Sequence, residues 1–127
     1  MTEMTTIMVR ELAASYFENP DMDKMDICAS LAILQIRKWL IDPVLENNEE
    51  NVGFLCFAAA AVAHYYYILD LVQKQPSGEF SANGVSAKSN FEEQLKKAKL
   101  LMKEHIQVAS HLINIPTSGF AFLSVEE

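Results

Sequence analysis

The feature that most constrains this chain is an uncharged stretch from Val52 to Leu69, which contains no Asp, Glu, Lys or Arg. A helix of this length and polarity either crosses a membrane or forms the centre of a helical core. A membrane span needs about 20 strongly apolar residues with basic anchors at its ends. This stretch is rich in Ala, contains His64 and three tyrosines, and is flanked by Glu49 and Asp70. We therefore predict a buried core helix, the hub of a helical bundle.

Two further helices are predicted before this hub. Apolar residues at helical spacing, polar capping residues and two prolines set their limits. The first helix runs from Thr5 or Thr6 to about Phe17, and the second from about Asp21 to before Pro43. An acidic loop is predicted from Glu46 to Asn51, and the hub helix itself runs from about Asn48 to about Gln73.

The second helix has more apolar residues than one core face needs. Its predicted core stripe consists of Met25, Cys28, Ala29, Ala32, Ile36, Trp39 and Leu40. Ile27, Leu31 and Leu34 lie outside this stripe. An apolar arc of this width predicts that the helix contacts several helices or another subunit.

Beyond residue 75 the pattern predicts a hairpin, a helix and a tail. Asn83-Gly84 stands between short alternating runs within Glu79–Ala87, which is a hairpin signal. Ser89 to Glu92 fits a capping box that opens a fourth helix to about Ile113. The segment after Pro116 alternates apolar residues and predicts a short extended tail. The fold class expected is all-α: a compact bundle of about four helices with a short β-hairpin and an extended C-terminal tail, in one domain spanning residues 1–127.

Charge and composition exclude several classes of function. The 127 residues are 50% apolar and carry a net charge of -7, which favours a soluble globular domain over a disordered chain. An acidic surface repels phosphate, so generic nucleic-acid binding is disfavoured and no sequence-specific nucleic-acid partner is expected.

Cys28 and Cys56 stand in apolar surroundings and are expected to be buried free thiols in a reducing compartment. No secretory leader is evident at the N-terminus, so the cytoplasm is the expected location, with no membrane partner.

No catalytic or metal-binding motif is evident in the sequence. His at i, i+4 spacing and Glu-x-x-His are both missing, so no metal site is predicted. The best polar constellation is Glu104, Gln107 and His111 on one face of the fourth helix, where they line a shallow cleft or simply face solvent. Tyr65–Tyr67 suggests a base-stacking platform, but successive helical residues point about 100° apart, and packing is the better interpretation.

The order of these elements resembles the small head-tail connector, or neck adaptor, proteins of tailed bacteriophages and prophages. The strings that carry the resemblance are Phe57 to Tyr66, Phe80 to Ser86 and Phe120-Ala121-Phe122, together with a Lys-rich fourth helix. The resemblance implies an all-helical subunit that assembles head-to-tail into a ring between portal and tail. It implies no catalytic residues and no cofactor, and portal and tail-completion proteins as partners in the virion neck.

A head-to-tail ring needs two different complementary patches on each subunit. The acidic first half and the basic fourth helix are candidates, together with the hairpin and the tail. The residues predicted for this oligomer interface are Phe80, Asn83, Gly84, Val85, Lys96, Lys97, Lys99, Lys103, Phe120 and Phe122.

Two other classes of function remain open. A bacterial cytosolic bundle acting as a homodimeric binding or regulatory module would use the wide apolar arc of the second helix as a two-fold interface. An enzyme would use Glu104 and His111.

Overall fold

The computed structural model describes residues 3–73 and 82–114, and for residues 82–91 it describes the backbone alone. Within these ranges the chain forms α1 (Thr6–Ala14), α2 (Met22–Trp39), a 3₁₀ helix (Pro43–Asn47), α3 (Glu49–Gln73) and α4 (Ala82–Val108). The only β-type pairing among the described residues is an isolated antiparallel bridge between Leu40 and Ile113. The prediction of a mainly helical bundle is confirmed.

Polar side chains cap the first three helices at the predicted residues. The Thr5 hydroxyl accepts a hydrogen bond from the Met8 N–H at 3.2 Å, and the Asp21 carboxylate accepts from the N–H groups of Asp23 and Lys24. The Asn48 side chain accepts from the two N–H groups that follow Glu49. These caps satisfy donors that the helix cannot pair internally, which is why each helix begins at that residue.

α3 is the hub of the bundle, as predicted. It packs against α1, α2, α4 and the 3₁₀ helix, and all four alanines from Ala58 to Ala61 are fully buried. By length and composition alone α3 is long enough to cross a membrane, but 61% of its most apolar window is buried inside the bundle. Small side chains allow neighbouring helices to approach closely, so α3 serves as the core helix of this fold.

Successive helices run antiparallel. Arg10 of α1 pairs with Asp26 of α2, and Lys24 of α2 pairs with Asp70 of α3. The start of α3 lies beside the end of α4, where Phe57 stacks on His105 with ring centroids 5.8 Å apart. The Asn114 N–H then donates to the Trp39 carbonyl at 2.7 Å and holds the last described residues beside the end of α2.

The β-hairpin predicted at 79–87 is wrong over 82–87. α4 begins at Ala82, so Asn83, Gly84 and Val85 lie in its first turn and the predicted capping residue Ser89 lies inside the helix. An isolated two-stranded hairpin is marginal in water, whereas extra turns on an existing helix each add backbone hydrogen bonds. The extension makes α4 27 residues long, close to the 25 of α3 against which it packs.

Three other predicted boundaries differ. α1 ends at Ala14 rather than near Phe17, and α4 ends at Val108 rather than near Ile113 and is followed by turns. The loop predicted from Glu46 to Asn51 is shorter, because Glu46 and Asn47 end the 3₁₀ helix and α3 begins at Glu49. Phe80 and the tail residues Phe120 and Phe122 lie outside the described residues.

Candidate docking surface on helix α2

The buried face of α2 forms its contact with the rest of the bundle. Its buried residues are Met25, Cys28, Ala29, Ala32, Ile33, Ile36 and Trp39. Six of the seven residues in the predicted stripe are among them, and the seventh, Leu40, is half-buried. The helical period alone therefore located the core side of α2.

The opposite side of α2 carries large apolar side chains in solvent. Ile27 is 62% exposed, Leu31 51% and Leu34 63%. Their i, i+4, i+7 spacing places them on one side of the helix. These are the three residues that the sequence placed outside the core stripe, and the described part of the chain leaves them largely uncovered.

Together with α3, this side of α2 borders an open groove of about 490 Å³. Ile27, Leu31, Tyr66 and Leu69 form its apolar walls. A second depression continues it past Leu34 and shares Leu31 and Tyr66. Concave apolar surface of this kind marks binding sites for other molecules.

A charged residue marks each end of this apolar stripe. Asp23 lies near the start of α2 and Lys38 near its end, and both are exposed. Neither forms an ion pair with any residue that the structure describes. We call Asp23, Ile27, Leu31, Leu34 and Lys38 the α2 surface.

Other charges near the α2 surface already have partners. Lys24 Nζ lies 2.8 Å from a carboxylate oxygen of Asp70, and this hydrogen bond raises the Lys24 pKa. Arg37 is held by Glu46 through its Nε and Nη2 atoms. Asp23 and Lys38 are therefore the charges of α2 beside the apolar stripe that have no ion pair within the described residues.

The predicted polar constellation on α4 is only partly assembled. Glu104 and Gln107 line a shallow depression together with His105 and Val108. His111 instead meets the ring of Phe54 edge-on, with centroids 5.4 Å apart. His111 therefore does not line the depression that Glu104 and Gln107 share.

The lysines of the predicted oligomer interface lie along α4. Lys96 and Lys97 are exposed, while Lys99 and Lys103 are half-buried. Several acids of the predicted acidic half have contacts within the fold. Asp21 and Asp42 cap helices, Glu46 is buried, and Glu11 and Asp26 pair with Arg10.

The environment of His64 was not evident from the sequence. Its ring stacks on Tyr16 at 4.8 Å and meets Phe17 edge-on at 5.0 Å. Burial lowers the His64 pKa to about 4, because the charged ring would lose its hydration there. Nδ1 has no hydrogen-bond partner among the described residues. The apolar residues around His64 signalled burial, but nothing in the sequence indicated the two rings from the turn that follows α1.

The remaining reactive groups do not form a site in the described part of the chain. Cys28 and Cys56 are free and buried, as predicted, and burial raises the Cys56 pKa to about 11. Among residues 3–73 and 82–114, no three His, Cys, Asp or Glu side chains lie close enough to hold a metal ion. Comparisons with protein-family models, with curated proteins and with solved structures find no match to this chain.

Proposed function

We propose that this protein is a non-catalytic structural subunit that works by associating with further copies of itself through the α2 surface. The observation that carries the proposal is the exposure of Ile27, Leu31 and Leu34 in one stripe. Singly exposed apolar residues are common on protein surfaces, but a contiguous stripe beside an apolar groove is typical of an interaction site. Burying such a stripe contributes about 25 cal/mol for each Å² of apolar surface removed from water.

The specific role proposed is that of a head-tail connector subunit of a tailed bacteriophage or prophage, assembled into a ring in the virion neck. Support comes from the resemblance to that family and from the all-helical bundle. A ring requires a second patch that differs from the first, and the lysines of α4 are the candidate. Portal and tail-completion proteins would then be its neighbours.

A second candidate is a homodimeric binding or regulatory module in the bacterial cytoplasm. It is favoured by one observation, namely that the exposed apolar stripe lies on a single helix. Such a helix can pack against its own copy across a two-fold axis without any second patch.

The mass of the full chain in solution tests the proposal and separates its two forms. Light scattering over a range of concentrations, with electron microscopy of the particles, distinguishes a ring, a dimer and a monomer. Particles with a central channel support the connector role, and a dimer that grows no further supports the two-fold module. A monomer at every concentration contradicts self-association.

A matched pair of variants locates the contact. Leu31 on α2 is 51% exposed and Leu100 on α4 is 49% exposed. We expect Leu31→Ser to weaken association and Leu100→Ser to leave it unchanged, because only Leu31 lies on the α2 surface. The two changes are matched, since they remove the same side chain at nearly equal exposure. Equal effects of the two substitutions would place the contact elsewhere.

A further inference from the structure

We infer that the α2 surface binds the α2 surface of a second copy of this chain, with the two helices antiparallel across a two-fold axis near residues 30 and 31. In this arrangement Asp23 pairs with Lys38 of the partner subunit on each side of an apolar centre. The inference rests on the two-fold form of the proposed self-association, in which the α2 surface meets its own copy, and it adds the direction of the two helices and their charge contacts.

All five residues of the α2 surface share one face of the helix. At 100° per residue, the positions 23, 27, 31, 34 and 38 fall within about 80° of one another around the helix axis. Along its length this face therefore carries one acidic residue, then three apolar residues, then one basic residue. A second helix lying on this face meets all five side chains.

The spacing of these residues along α2 is symmetric. Asp23 and Lys38 lie at equal distances from the midpoint between residues 30 and 31, and so do Ile27 and Leu34. When two copies pack antiparallel about that midpoint, each Asp23 faces a lysine and each Ile27 faces a leucine. A parallel arrangement would bring like charges together at both ends, which is destabilising.

The centre of the contact allows close approach. Ser30 is exposed and small, so it lets the two helices come together beside Leu31. Its hydroxyl lies 3.4 Å from that of Thr6 in the same chain, so it already has a polar partner. Tyr66 and Leu69 of α3 border the groove alongside and widen the apolar area that a second copy would cover.

The charges at the two ends of the α2 surface are complementary to those of a second α2 surface that lies antiparallel to it. Asp23 and Lys38 have no ion pair within the described part of their own chain, whereas Lys24 and Arg37 do. Two opposite charges at matched ends of an apolar stripe can therefore each pair with the partner subunit. Charge pairs of this kind fix register and orientation more than they add affinity.

Charge reversal tests this geometry. In Asp23→Lys the antiparallel dimer has Lys facing Lys at both ends, and in Lys38→Asp it has Asp facing Asp. We expect each variant alone to dimerise with a Kd about tenfold or more above that of the unchanged chain, measured by sedimentation equilibrium at low salt. When the two variants are mixed, each end of the antiparallel heterodimer again carries one Lys and one Asp. We therefore expect the mixture to associate more tightly than either variant alone.

The double variant Asp23→Lys/Lys38→Asp is the decisive measurement. It exchanges the two charges, so that each end of the antiparallel dimer again carries one Lys and one Asp. We expect its Kd to return to within about twofold of that of the unchanged chain. A double variant as weak as the two single variants would overturn the antiparallel pairing.

Controls separate this effect from misfolding and from net charge. Glu92→Lys and Glu93→Lys reverse exposed charges on α4 outside the predicted oligomer interface and should leave the Kd within about twofold. Circular dichroism and the denaturation midpoint of each single variant should match those of the unchanged chain. Recovery in the double variant also shows that neither substitution prevents folding.

The outcomes distinguish this inference from the proposed function. If the chain associates but the charge reversals have no effect, the antiparallel α2 contact is wrong and self-association stands. The same conclusion follows if the single variants weaken association but the double variant does not recover it. If the unchanged chain remains monomeric at every concentration, both proposals are overturned.

Discussion

Arg37 and Glu46 form a two-pronged ion pair, with Arg37 Nε 2.9 Å from Oε1 and Nη2 2.7 Å from Oε2 of Glu46. The Met4 N–H also donates to Glu46 Oε2 at 2.9 Å, and Arg37 Nη2 donates to the Met4 carbonyl at 3.0 Å. Burial raises the Glu46 pKa, but the bonds from Arg37 and Met4 outweigh it and the net pKa lies below its ordinary value. One carboxylate thus joins the N-terminal segment, α2 and the 3₁₀ helix.

The first prediction is that Arg37→Ala lowers the free energy of unfolding by about 2 to 3 kcal/mol. The change leaves a buried carboxylate with only one of its partners, which is the costly way to break such a pair. Urea denaturation measures the loss, and Lys96→Ala, an exposed lysine on α4, should stay within about 0.5 kcal/mol. A loss as small for Arg37→Ala as for Lys96→Ala would contradict a structural role for the pair.

The second prediction concerns the fully buried alanines of α3. Ala60→Leu or Ala61→Leu should destabilise the fold by about 1 to 3 kcal/mol, because the added methyl groups have no space where helices approach closely. Lys97→Ala, on the exposed side of α4, serves as the control. Comparable denaturation midpoints for the three variants would show that α3 is not the close-packed hub.

The third prediction is a pH dependence caused by His64. The His64 pKa is about 4 in the folded chain and about 6.5 in the unfolded chain. Between these values the unfolded state binds a proton that the folded state does not, so stability falls as the pH falls from about 6.5 to about 4. Because the ring is half-buried and partly screened by solvent, we expect a loss on the order of 1 to 2 kcal/mol.

The variant His64→Phe tests this assignment. Phe preserves the ring contacts with Tyr16 and Phe17 but cannot be protonated. Its unfolding free energy, measured by denaturant titration at pH 7 and pH 5, should change less than that of the unchanged chain. An unchanged pH dependence in the variant would exclude His64 as its source.

The fourth prediction concerns thiol reactivity. Cys56 is 3% exposed with a pKa of about 11, and Cys28 is 6% exposed with a pKa raised by burial. Only the thiolate reacts quickly, so at pH 8 an aromatic disulfide reagent should label the folded chain roughly a hundredfold more slowly than the unfolded chain. Rapid labelling of either cysteine without denaturant would contradict its burial.

The sequence predicted those parts of the fold that depend on local chemistry. Asp21 and Asn48 carry the side chains that cap a helix, so the starts of α2 and α3 were found at the right residues. The core face of α2 followed from its period, and so did the position of Leu31 outside that face. These features depend on spacing along one helix and on no distant contact.

The errors have a common physical source, since they depend on what a segment packs against. Asn83-Gly84 is a strong turn signal in isolation, but here it continues a helix that lies along α3. In the acidic first half, Glu46 is buried against Arg37 and Asp42 caps the 3₁₀ helix. A one-dimensional charge count does not show which acids are already paired within the fold.

The short pairing between residues 39–41 and 112–114 has a consequence for folding kinetics. The Ile41 N–H donates to the Leu112 carbonyl and the Asn114 N–H to the Trp39 carbonyl, so the end of α2 is tied to a segment that follows all of α3 and α4. The contacts of α1 with α2, α2 with α3, and α3 with α4 join neighbours in the chain, whereas this pairing closes a long loop at high entropic cost. We therefore expect it to form after the transition state, so that Ile113→Ala would accelerate unfolding and leave the refolding rate nearly unchanged.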